Sequence, residues 1–108
     1  MIAHCARVGT EIGADVVKVP YTGDIDTFGK VVDACCVPVV IAGGPKLDST
    51  RAFLQMVRDS IAAGGSGLSV GRNVFQHKHP ALLTRALAKV VHEDVEVDEA
   101  MVMLEGQE

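Results

Sequence analysis

Val37-Pro38-Val39-Val40-Ile41-Ala42-Gly43-Gly44 is the stretch on which the fold of this chain turns. From Val37 to Ala42 it is uncharged and rich in β-branched residues, and it ends on a glycine pair. A run that is apolar throughout, rather than alternating, is how parallel strands buried on both faces read. The glycines mark a turn out of the strand. Similar runs lie on either side: Ala14-Asp15-Val16-Val17-Lys18-Val19 upstream and Gly67-Leu68-Ser69-Val70 downstream, the latter followed by Gly71-Arg72-Asn73.

Helical spacing fills the intervals. Ile2, Cys5, Ala6, Gly9 and Ile12 form one stripe, with Gly13 as its stop. Asp24 or Asp26 can cap a second helix carrying Ile25, Phe28, Val32 and Cys35. Asp48 or Ser49 opens a third, with Phe53, Leu54, Val57 and Ile61 inward and Gly64 or Gly65 at its end. Pro80 suits the first turn of a fourth, with Leu83, Leu87, Val90 and Val91 inward. The tail from Asp94 is acidic, and Ala100 to Leu104 can add a short helix.

The order is therefore α-β-α-β-α-β-α, with strand starts roughly 20 to 30 residues apart, as short βα units give. A (β/α)₈ barrel takes about 250 residues. The 108 residues read as one partial α/β domain, 1–108: the C-terminal segment, about three βα units, of a TIM barrel whose N-terminal strands lie outside the chain. The alternative is a small open α/β sheet. Helices over both faces of a three-stranded sheet would still leave its two edges open.

Composition narrows the function classes. At 48% hydrophobic and 22% charged residues the chain is globular rather than disordered. A net charge of −4 argues against a nucleic-acid partner, though not against one local anion site. No stretch resembles a signal peptide, and Val37 to Ala42, the longest apolar run, is too short to cross a bilayer. A cytoplasmic chain with no membrane partner is expected. Cys5, Cys35 and Cys36 make no CxxC pair and no metal pattern with the histidines, so small core fillers are expected and no metal.

Lys18 carries the most chemistry. A lysine in an apolar strand is costly to keep charged and tends toward a nucleophilic amine. Side chains alternate along the strand, so Val17 and Val19 share one face, Val16 and Lys18 the other. If the first pair packs on the helices, Lys18 points into the barrel near its C-terminal mouth, where barrel enzymes place catalytic groups. A strand-end lysine that reaches solvent is the plainer alternative. Gly43 and Gly44 close the second strand, Gly71 and Arg72 the third. Glycine lets backbone N–H groups approach an anion closely, and arginine supplies a two-pronged phosphate contact. The plainer alternative is that these glycines only turn the chain and Arg72 lies on the surface. Lys46 could touch the same phosphate or be solvated. Tyr21 could line the mouth or order the loop, and Tyr21-Thr22-Gly23-Asp24 reads first as a turn and helix cap. His4, His77, His79 and His92 suit surface or helix-end positions.

These stretches resemble a known family. Gly13-Ala14-Asp15-Val16-Val17-Lys18 with Tyr21-Thr22-Gly23-Asp24, then Ala42-Gly43-Gly44-Pro45-Lys46, then Val70-Gly71-Arg72-Asn73-Val74-Phe75-Gln76 look like the archaeal-type class I fructose-bisphosphate aldolases of the deoxyribose-phosphate aldolase-like superfamily. The likeness runs from about residue 3 to about residue 93. It implies the last three barrel strands, with Lys18 as the Schiff-base lysine and Gly43, Gly44, Gly71 and Arg72 as the phosphate loops. It further implies a lyase of glycolysis or gluconeogenesis acting without cofactor on a phosphorylated sugar substrate, as a homo-oligomer. The family's tyrosine acid/base and first-strand aspartate have no counterpart here. The same family holds 2-amino-3,7-dideoxy-D-threo-hept-6-ulosonate synthases and an autoinducer-2 phosphate thiolase, which are alternative activities. A non-catalytic phosphate-binding fragment that needs a partner chain is the alternative outside enzymology.

Overall fold

The structure, a computed structural model, describes residues 2–105 apart from 45, 46 and 48. The elements run α1 (Ile2–Glu11), β1 (Val17–Pro20), α2 (Ile25–Asp33), β2 (Val39–Ala42), α3 (Thr50–Ala62), β3 (Gly67–Ser69), α4 (Arg72–Phe75), α5 (Pro80–Glu93) and α6 (Val97–Glu105). The three strands are parallel and lie in chain order, β1-β2-β3. Val17, Lys18, Val19 and Pro20 sit opposite Val39, Val40, Ile41 and Ala42, and the last three of these face Gly67, Leu68 and Ser69.

Two side-chain caps start the helices that return from the sheet. Asp24, in extended backbone, accepts a hydrogen bond from the Thr27 N–H at 2.8 Å and opens α2. Ser49 does the same for α3 through the Ala52 N–H at 3.0 Å. The other candidate, Asp48, lies outside the described residues. Pro80 occupies the first turn of α5, as its missing N–H predicts.

The core is a single layer between sheet and helices. Val17, Val19, Val39 and Ile41 meet Phe28, Val31, Phe53, Leu54 and Val57, with Leu83, Ala86 and Val90 behind them. The acidic tail joins this layer. Val97, Ala100 and Leu104 of α6 are buried against α3 and α5. Arg58 of α3 holds the α5–α6 link, its guanidinium pairing with Asp94 at 2.9 Å and Glu96 at 3.1 Å. Arg51 pairs with Asp98.

Helices over both faces, which the open-sheet alternative requires, are not what the structure shows. β1 alternates buried and exposed from Val17 to Pro20, and along β2 Val40 and Ala42 are only half-buried. Val16 is 53% exposed. Consecutive parallel strands with helices on one side are the construction of a closed barrel, whereas an open doubly wound sheet reverses its strand order and puts helices on both sides. The apolar residues of the bare face are those a barrel interior would enclose.

Two further expectations fail for a local reason. Cys5 and Cys36 are exposed and Cys35 half-buried, so the cysteines are not core fillers. Ile12 is 81% exposed, because α1 ends at Glu11 and turns Ala6, its one buried residue, to the sheet. Among the described residues no helix is long and apolar enough to cross a membrane.

Candidate functional site

The site is organised by strand register. Pro20, Ala42 and Ser69 are aligned across the sheet, so the chain leaves all three strands along one rim. Gly43 and Gly44 follow β2 directly; Val70, Gly71 and Arg72 follow β3. Lys18 lies two residues before the end of β1, roughly 7 Å beneath that rim at the usual rise per residue. Because Val17 and Val19 are buried under the helices, Lys18 projects from the opposite, bare face beside Val40. The orientation matches the sequence reading. The burial does not: Lys18 is exposed within this chain. The reason is the bare face itself, since the side chains that would crowd the amine belong to no described residue.

The two glycine loops are packed into one another. A Cβ on Gly43 would lie 2.8 Å from Val70 Cγ1 and 2.9 Å from its Cβ, so a side chain there would force the β2 and β3 loops apart. Gly44 has φ +66°, a left-handed conformation that favours glycine, and is exposed. Beyond Gly71, α4 begins at Arg72, whose side chain is exposed at the rim. Lys46 lies outside the described residues.

Asn73 is the residue that sequence reasoning passed over. It is 4% exposed, one of two buried polar residues among those described. Its Oδ1 accepts from the Leu47 N–H at 2.8 Å and its Nδ2 donates to the Gly43 carbonyl at 3.3 Å. One side chain from the β3 loop thus holds two points of the β2 loop. The only sequence signal was its place in the Gly71-Arg72-Asn73 run, which gives no hint of burial.

The remaining candidates stand apart. Tyr21 turns toward the helices: its ring meets Phe28 at 5.2 Å between centroids. Its hydroxyl is buried without a hydrogen-bond partner. Burial first, then the negative charges of Asp59 and Asp24, push this phenol above its ordinary pKa. Tyr21 therefore does not line the mouth. The Asp24 carboxyl is held below its ordinary value, chiefly by the backbone N–H of Thr27. His77 bonds the Thr50 hydroxyl at 3.1 Å and accepts from the His79 N–H at 2.9 Å, which makes it a loop tie. A groove of ≈ 570 Å³ beside β3 and α5, lined by Val40, Leu68, Val70, Leu87 and Val91 among others, follows the free edge of the sheet.

Comparison with known proteins bears on the family and the fold. The model of the DeoC/LacD family aldolases matches residues 1–77. A fructose-bisphosphate aldolase class 1 of Halobacterium salinarum is 48% identical over 101 residues, which are 93% of this chain and 38% of the relative. A 2-amino-3,7-dideoxy-D-threo-hept-6-ulosonate synthase of Archaeoglobus fulgidus is 45% identical over 100 residues, 93% of this chain and 37% of the relative. The crystal structure of an archaeal fructose 1,6-bisphosphate aldolase superposes with a TM-score of 0.82 at 43% identity, covering 85% of this chain and 37% of that one. A second archaeal fructose-1,6-bisphosphate aldolase, solved with its catalytic lysine covalently bound to the carbinolamine intermediate, gives a TM-score of 0.80 at 42% identity over 83% of this chain and 36% of that one. The chain spans little more than a third of the length of these relatives, and its three βα units are a segment of a TIM barrel.

Proposed function

The chain belongs to the DeoC/LacD aldolase family, and on that premise we propose that it supplies the imine-forming lysine and the phosphate cradle of a class I aldolase acting on a phosphorylated ketose. The observation that carries this is the placement of Lys18 on the bare face, beneath a rim built from Gly43, Gly44, Gly71 and Arg72. In the chemistry proposed, the neutral amine attacks the ketone carbon, and loss of water leaves an iminium. That iminium accepts the electron pair of the adjacent carbon–carbon bond as the bond breaks, and returns it when the bond forms. The phosphate sits at the rim on backbone N–H groups and the Arg72 guanidinium, which fixes the carbonyl over Lys18. No metal is required.

The three strands are proposed as the last three of the barrel. Fructose bisphosphate is the substrate we favour, on the 48% identity to the Halobacterium aldolase. The transaldol-type reaction of the synthase relative is the alternative, along with an autoinducer-2 phosphate thiolase. Choice among them would lie with groups on strands beyond this segment. A homo-oligomer in the cytoplasm remains part of the proposal. A second reading, a phosphate-binding module without catalysis, draws on the exposure of Lys18 in this chain.

One experiment separates the two. The chain is grafted in place of the matching residues of the Halobacterium salinarum aldolase, giving a completed barrel. This protein is incubated with dihydroxyacetone phosphate and borohydride, and the adduct is mapped by mass spectrometry. Reduction at Lys18, abolished by Lys18→Met with the fold intact, is expected. An adduct at Lys30 or Lys46 with Lys18 unmodified would sink the assignment. Phosphate binding without any adduct would favour the binding module.

A further inference from the structure

We propose that Asn73 is a positioning residue that locks the two glycine loops into one anion cradle and so sets the enzyme's preference for phosphorylated over unphosphorylated ketones. The inference rests on the phosphate-site reading above and adds a residue and a device to it. Asn73 does not touch substrate. It is buried, and both arms of its amide are taken by the β2 loop: Oδ1 by the Leu47 N–H, Nδ2 by the Gly43 carbonyl.

The orientation of the amide is not interchangeable. A backbone N–H can only donate and a carbonyl can only accept, so the site needs an acceptor and a donor on one short, planar side chain. Asparagine satisfies this. Aspartate offers two acceptors, and leucine of similar shape offers neither. The consequence for the ligand follows from peptide geometry. The Gly43 carbonyl and the Gly44 N–H belong to one planar trans peptide and point to opposite sides. Holding the carbonyl inward on a buried Asn73 turns the Gly44 N–H outward, at an exposed glycine on the rim. Without the tie, the Gly43–Gly44 peptide, flanked by two glycines, is free to rotate and present its carbonyl to the anion instead. The close approach of Gly43 to Val70 is the second half of the device, because only a residue without Cβ brings the carbonyl within reach of Asn73.

The test uses the completed barrel, with dihydroxyacetone phosphate and unphosphorylated dihydroxyacetone as probes. For each, borohydride trapping at Lys18 gives a half-saturating concentration and a limiting rate. Asn73→Ala is expected to raise the half-saturating dihydroxyacetone phosphate at least about tenfold, the scale of one lost hydrogen-bonded anchor. Its limiting rate should stay within about twofold, and the dihydroxyacetone curve should not move, since neither depends on the cradle. Asn73→Asp should lose at least as much, because it sets an oxygen against the Gly43 carbonyl. If Asn73→Ala does not fold, Asn73→Asp decides the matter. Equal losses on both probes, or an unchanged phosphate preference in folded variants, overturn the inference. The outcomes separate it from the reading it rests on: a wild-type barrel that never labels Lys18 refutes the aldolase. A wild-type barrel that labels Lys18 and prefers the phosphate, but keeps that preference in the Asn73 variants, refutes only the role of Asn73.

Discussion

The two faces of the sheet differ more than any other pair of regions in this molecule. On the helix side, Val17, Val19, Val39 and Ile41 are no more than 7% exposed, and they join an unbroken apolar layer. On the other side, the same strands carry Lys18 in the open and Val40 and Ala42 half-covered. Alternation along one strand generates both faces, yet they answer to different partners. The first is satisfied inside the chain by α2, α3 and α5. The second is satisfied only when the barrel closes, and it holds the proposed reactive amine. Stability and chemistry are thus separated by a half-turn of backbone, and a substitution can be sorted by the parity of its position.

The contrast can be broken most severely by the 108-residue chain itself. Its bare face, the free edges of β1 and β3, and the groove lined by Leu68, Val70, Leu87 and Val91 are apolar or unpaired surface. Such surface seeks cover from other chains. The isolated chain is expected to run as an oligomer or aggregate in size-exclusion chromatography and to melt without a sharp transition. A monomer with a cooperative melt would mean that the helix-side layer suffices, and that the bare face tolerates water.

A second measurement sharpens the division along the rim rather than across the sheet. Arg72 should serve the phosphate and Lys18 the carbonyl. In the completed barrel, Arg72→Ala should cost phosphorylated substrates at least about 2 kcal/mol in catalytic efficiency, near the cost of leaving a desolvated charged partner unpaired. An unphosphorylated analogue should lose almost nothing. The ratio of the two efficiencies, mutant against wild type, is the reading. Equal losses would make Arg72 structural and remove the Gly71 loop from the phosphate site.

The helix-side face was legible because its rules are local. Val17 and Val19 against Lys18 gave the parity, Gly43-Gly44 and Gly71 gave the strand ends, and Pro80 gave the start of α5. Where the reading failed, the cause lay in what a residue meets elsewhere in the chain. The apolar run from Val37 to Ala42 reads as buried on both faces, because composition records what a strand is built to meet and not whether the partner is present. The exposed cysteines come from the rotation of α1 and the loop after α2, neither of which spacing determines. The apolar pattern starts a helix only at Ala100, yet α6 begins at Val97, its first buried residue, and the Arg58 pairs that hold it cross 36 and 38 positions of sequence. Asn73 bridges 26 and 30 positions, and nothing in its neighbours announces that.

The smallest expected effect tests whether Tyr21 belongs to the helix side at all. Its hydroxyl is buried without a hydrogen-bond partner, and its phenol is pushed above the ordinary value by burial and by Asp59 and Asp24. A group whose pKa is raised on folding favours the folded state below its unfolded pKa, and that advantage is lost as pH rises through the folded value. Tyr21→Phe removes the orphan hydroxyl and keeps the ring on Phe28. At neutral pH the variant of the completed barrel should be as stable as wild type or more so, by up to about 1 kcal/mol. Above about pH 10, the ordinary tyrosine value, the gap should widen, because only wild type must either hold the proton against rising pH or bury a phenolate. Melting temperatures of both proteins from pH 7 to 11 decide it. A variant that is clearly less stable, or that loses imine trapping, would place the hydroxyl in service on the reactive side and move Tyr21 across the divide.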